Sequence, residues 1–123
     1  MKLINLSSTS SNFRTDNSEL HWDFSNLRLD GYTKIALSSI CLSFSGVSSA
    51  QTYPIYTNLI NADSDNSEGI IACAKFSRQT FSFHPSNLEF WDLALCNPRD
   101  LLFTLPGIKT ADILFANIVL VIK

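Results

Sequence analysis

Ile113-Leu-Phe-Ala-Asn-Ile-Val-Leu-Val-Ile122 decides how this chain folds. Both members of its two-residue alternation are apolar, interrupted mainly by Asn117, so both faces of an extended strand seek cover. An antiparallel sheet commonly meets water on one face. A strand apolar on both faces therefore needs a second layer, either another sheet or another protein chain.

Upstream of this strand, two-residue alternation recurs in short bursts separated by Ser, Asn, Asp, Gly and Pro, while helical periodicity is weak throughout. Residues 2–6 read as an edge strand and residues 7–18 as a polar loop or arm. Leu20, Trp22 and Phe24 then share one face, with His21 and Asp23 on the other. Ile35 and Leu37 have one parity and Ile40, Leu42 and Phe44 the opposite one, which predicts a bulge or bend at Ser38-Ser39. Residues 52–60 are extended, with Pro54 confining their start to an edge or a bend. A polar loop over 61–69 follows. Further strands are expected around Ile70 to Phe76, Phe81 to Phe83, Leu88 to Leu95 and Leu101 to Leu105, the last ended by Pro106-Gly107. The pattern predicts an all-β protein: an antiparallel two-sheet sandwich of jelly-roll type with about eight to ten strands. Its 123 residues suit one domain. Residues 1–18 are expected as a strand and polar arm, and 19–123 as the jelly roll.

Composition narrows the function. A hydrophobic content of 46%, with nine Phe and two Trp, is enough apolar surface to offset the entropy of folding. The charged fraction of 16% is low beside the roughly 25% of ordinary domains, which predicts that part of the surface is covered in the working state. A net charge of −2 with singly scattered Lys and Arg gives no footprint for direct nucleic-acid binding. No stretch approaches the roughly 18 apolar residues of a membrane span, and the apolar run at the N-terminus is too short for a signal peptide. The expected compartment is the cytosol, the nucleus or a particle assembled there. Cys41, Cys73 and Cys96 fit neither a metal clip nor a disulfide framework, and read as buried free thiols on strands.

Asp63-Ser-Asp65-Asn-Ser-Glu68 places carboxylates at alternate positions, as hard-cation loops do. Calcium needs about six to eight oxygen ligands, and an EF-hand loop has Gly at its sixth position. Here Glu68 stands at that position and Gly69 comes one place late, so the segment reads as a solvated hairpin loop and no metal is expected. The two histidines form no visible site, no elbow presents a nucleophile, and no glycine spacing suits a phosphate loop. No catalytic residue and no cofactor are expected. Among the aromatic residues, Tyr53 and Tyr56 read as the most accessible. Together with Asp63, Asp65 and Glu68 they are the candidate ligand or interface residues. In a lectin-like or fibre-head module they would hold a glycan or host receptor.

Tyr56-Thr-Asn-Leu-Ile60, Ile70-Ile-Ala-Cys73, Leu88-Glu-Phe-Trp-Asp-Leu-Ala-Leu95, Asp100-Leu-Leu-Phe-Thr-Leu105 and Ile118-Val-Leu-Val-Ile-Lys123 set a strand-and-loop cadence over residues 53–123. This cadence resembles that of single jelly-roll minor capsid proteins, the penton-like proteins of double-stranded DNA viruses and of Polinton/Maverick-type virus-like elements. The resemblance implies a structural capsid component with no catalytic role. It implies self-association as a pentamer or trimer, contact with other capsid proteins, and residence in a virion assembled in the host cytoplasm or nucleus. In such a shell, jelly rolls pack around a symmetry axis and the N-terminal arm orders on a neighbouring subunit.

Overall fold

The computed structural model describes residues 1–23, 30–61, 68–93 and 100–123, apart from the side chains at 60, 61, 68 and 100. Among them the strands are β1 (Lys2–Ser7), β2 (Phe13–Asp16), β3 (Glu19–Asp23), β4 (Lys34–Phe44), β5 (Thr52–Asn61), β6 (Glu68–Lys75), β7 (Thr80–Phe83), β8 (Phe90–Asp92), β9 (Asp100–Thr104) and β10 (Ile113–Ile122). Sheet A runs β1-β10-β4, with β7 and β8 sharing the far edge of β4; sheet B runs β2-β3-β9-β5-β6. Every pairing is antiparallel.

The pairings are nested. β1 pairs β10, β3 pairs β9, β4 pairs β7 and β8, and β5 pairs β6, with successive pairs falling in alternate sheets. That is a long hairpin of strands rolled into a two-layer sandwich, the jelly roll. The inward residues of both layers form one core. Ile4 and Leu6 of β1, Ala116, Ile118, Leu120 and Ile122 of β10, and Ile35, Leu37, Ile40, Leu42 and Phe44 of β4 meet Leu20, Trp22, Ile55, Leu101 and Phe103 of sheet B. Burial of these side chains removes roughly 1.5–3 kcal/mol of apolar exposure each.

The change of parity at Ser38-Ser39 is a bulge. Val119 pairs Ser39 and Leu120 pairs Leu37, leaving Ser38 extra on β4. The extra residue returns Leu37 and Ile40 to the same core from opposite parities. Pro54 is also accommodated as expected. β5 meets β9 only at Tyr56 and Thr57, so beside Pro54 the strand is bonded to β6 alone and no ladder donor is missed there.

Residues 7–18 do more than form an arm. Phe13–Asp16 pairs β3 from Phe13↔Trp22 to Asp16↔Glu19, and the two-residue loop Asn17-Ser18 closes that hairpin. Asn17 takes a positive φ of 53°, and its carbonyl accepts both the backbone N–H and the hydroxyl of buried Thr110. Segment 1–18 is thus built into both sheets of its own chain, and this does not support an arm that orders only on a neighbour.

A second tight turn joins the sheets. Ser77 and Thr80 exchange backbone hydrogen bonds of 2.9 and 3.0 Å around Arg78 and Gln79. Both central residues have positive φ, 54° and 67°, as a type I′ turn requires, although neither has the side chain that tolerates it well. The Gln79 carbonyl accepts the Phe44 N–H at 3.2 Å, fixing the turn against the end of β4. Phe76, just before the turn, is 1% exposed and packs edge-on against Phe44 and Tyr53.

Candidate functional site

The outer face of each sheet follows from register, because residues opposite one another in a ladder point to the same side. On sheet B the outward residues of β2 and β3 are Arg14, Asp16, Glu19, His21 and Asp23, and Lys75 lies outward on β6. Charge lies along the β2–β3 edge and at Lys75, while between them β9, β5 and β6 turn Leu102, Thr104, Tyr56 and the exposed Ile70 outward. Sheet A is different. Its outward rows are Asn5–Val119–Ser39, then Ser7–Asn117–Cys41–Ser82, then Phe115–Ser43–Thr80. These rows cross the sheet without one charged side chain. Asn117 donates to the Asn5 carbonyl oxygen at 2.7 Å, and the Cys41 sulfur lies 3.5 Å from the Ser82 hydroxyl.

Charge returns only at the end of sheet A where Lys34 is paired with Asp92 and the Lys123 ammonium sits 4.2 Å above the Phe90 ring. That end is also the better covered: Val121 is 4% exposed and Ala36 is fully buried, though both point outward. At the other end, the bulge between Ile113 and Phe115 turns Leu114 out, and Leu114 and Phe115 are 62% and 41% exposed. Leu3, beside Val121 on the edge strand, is 66% exposed. The second face of the doubly apolar strand is therefore covered by its own chain at Val121 and open at Phe115.

The candidate ligand residues are dispersed. Tyr53 is buried rather than accessible, because it shares the inward parity of Ile55, Thr57 and Leu59; its hydroxyl accepts the Ser48 N–H at 3.1 Å. Tyr56 is half-buried and points outward on sheet B between Ile70 and Thr104. Asp63 and Asp65 lie outside the described residues, as does the side chain of Glu68. Cys41 and Cys73 are free thiols, but neither is buried: Cys41 is half-buried on the outer face of sheet A, and Cys73 is exposed at the outward position between Ala72 and Ala74. Cys96 lies outside the described residues.

Two features were not expected. Between the pairings of β7 and β8, residues 37–39 of β4 have no strand partner on that side. Beside this gap lies a cavity of about 90 Å³ lined by Leu37, Ile71, Phe83, Pro85, Asn87, Glu89 and Trp91. It is well below the roughly 300–1,000 Å³ of small-molecule sites. The other feature is on sheet B, where ligand atoms of Asp16, Glu19 and His21 lie within 4.8 Å of one another. No helix among the described residues is long and apolar enough to cross a membrane.

No protein-family model, curated protein or solved structure matches this chain.

Proposed function

We propose that this chain is a structural jelly-roll subunit without a catalytic role that self-associates, as a pentamer or trimer, in a shell of viral or virus-like type. It would be a penton-like or other minor capsid component of a virion, meeting further capsid proteins around it. The observation that carries this reading is the contrast between the two outer faces. Sheet B carries charge along its β2–β3 edge and at Lys75, whereas the middle of sheet A presents Ser, Asn, Val and Cys, with Phe115 and Leu114 at its open end. A face free of charge costs little to desolvate. Interface cores are depleted of charged residues in the same way. The nested strand order supports the reading further, since jelly rolls are recurrent shell-building domains.

Light scattering coupled to size-exclusion chromatography tests it. The expected species at high micromolar concentration is a discrete oligomer; a strict monomer there overturns the proposal.

One observation favours a second reading, a receptor- or glycan-binding module. Trp91 and Phe83 line the small cavity at the edge of sheet A together with Asn87 and Glu89, an aromatic wall with polar groups beside it. A glycan array separates the two readings, and Trp91→Ala abolishing a saturable signal would favour the second.

A further inference from the structure

We propose that Asp16, Glu19 and His21 form a binding site for one divalent transition-metal ion of the zinc class. The site follows from the β2–β3 hairpin. Asp16 and Glu19 are direct cross-strand partners at its closed end, and His21 stands two residues along β3 on the same outward face. The tight Asn17-Ser18 turn, anchored by Thr110 on the Asn17 carbonyl and by the Leu105 N–H on the Ser18 carbonyl, holds the two carboxylates side by side.

His21 and Glu19 are joined by a hydrogen bond long enough for its two atoms to share an ion. The His21 Nε2 to Glu19 Oε1 distance is 3.4 Å. A charge-assisted N–H···O bond is shorter, about 2.7–2.9 Å. Two ligands of one tetrahedral zinc, with bonds of roughly 2.0–2.1 Å, stand about 3.3 Å apart. Asp16 completes a set whose donor atoms all lie within 4.8 Å, so a rotation of its exposed side chain closes the third edge. His21 is 8% exposed and is held in a packed position rather than waving in solvent. The imidazole selects zinc-like ions over calcium or magnesium, which prefer all-oxygen sets. Three protein ligands leave the fourth position for water.

A second, independent observation points to the same place. The Thr104 hydroxyl oxygen is shielded from solvent and has no hydrogen-bond partner. Thr104 is the direct partner of Glu19 across the β3–β9 ladder and therefore lies on the same outward row, between Glu19 and Tyr56. A shielded hydroxyl with no partner is destabilising. With an ion bound, the Glu19 carboxylate turns toward it and offers its second oxygen to that hydroxyl. This is the outer-shell contact that fixes a ligating carboxylate.

Isothermal titration of the full chain with zinc chloride, and cobalt(II) titration followed by visible absorption, test the site. The expected result is one ion per chain, with cobalt absorption indicating four-coordinate geometry. Asp16→Asn should lower the affinity at least ~10-fold and Thr104→Val roughly 10-fold, in line with the loss of a ligand and of an outer-shell partner. Asp16 is exposed, so its replacement leaves the fold intact and keeps the test decisive even if His21→Asn fails to fold. The Cys41→Ser/Cys73→Ser chain should bind as tightly as the parent. Three results would each overturn the proposal: no binding at ~100 µM zinc, binding unchanged in Asp16→Asn, or binding lost with the thiols.

Discussion

The indole Nε1 of Trp22 donates to the carbonyl oxygen of Ser7 at 2.9 Å, tying β3 of one sheet to the end of β1 in the other. Trp22 has no exposed surface, and its ring meets Phe13 at 4.7 Å and Phe103 edge-on at 6.0 Å. One side chain thus combines core packing with a polar bond between layers. Trp22→Phe keeps an aromatic ring and loses the donor. The Ser7 carbonyl retains the Ser10 N–H at 3.1 Å, so the loss is a hydrogen bond and some volume rather than an orphaned acceptor. Urea unfolding should show a loss of about 2–3 kcal/mol with an unchanged denaturant slope.

Phe76 packs against rings from both layers, Phe44 and Phe81 of sheet A and Tyr53 of sheet B. Phe76→Ala should destabilise by about 3–5 kcal/mol, the cost of a buried ring and its cavity. Phe76→Leu should lose less. Equal losses in the two variants would show that the ring contacts contribute nothing beyond volume.

Arg78 and Gln79 hold positive φ without the residues that favour it. Replacing the pair by Asn-Gly should raise stability by about 1 kcal/mol, since type I′ turns prefer that dipeptide. Thermal denaturation reads this directly. A lower melting temperature would mean that the two native side chains make contacts worth more than the backbone strain they carry.

Assembly through the open face of sheet A predicts that Phe115→Asp, alone or with Leu114→Asp, dissociates the oligomer. Both positions are exposed, so the unfolding free energy of the separated chain should change by no more than about 0.5 kcal/mol. Arg14→Glu on the outer face of sheet B should leave the oligomer intact. Sedimentation velocity distinguishes these outcomes, and dissociation by Arg14→Glu but not by Phe115→Asp would place the interface on the opposite sheet.

Much of the sandwich was legible because apolar alternation marks strands wherever one face is buried. Residues 113–122 read directly as a strand needing cover on both faces, and the parity change at Ser38-Ser39 as a bulge or a bend, of which the structure shows the bulge. β2 was not legible. Phe-Arg-Thr-Asp has one apolar residue and lies on an edge, where pairing depends on backbone bonds rather than on a core-facing pattern. Missing β2 also hid the Asp16, Glu19 and His21 cluster, which exists only because the hairpin returns the chain upon itself. The available signal was Asn17-Ser18, a two-residue loop with an asparagine suited to positive φ. Tyr53 was expected to be accessible although it shares the parity of Ile55, and that parity turns it into the core.

Among the described residues β1 pairs in a ladder with β10 alone, from Lys2↔Ile122 to Ser7↔Asn117. During synthesis it must therefore wait, with Ile4 and Leu6 unprotected, until more than a hundred further residues have left the ribosome. Pairings so distant in sequence make a slow folder, in which closing the loop costs entropy before any contact rewards it. The hairpins β2–β3 and β5–β6 can form early, and sheet A can close only last. Anything that captures β10 before β1 reaches it, including the β1 of another copy, would yield an exchanged pair instead of a closed roll.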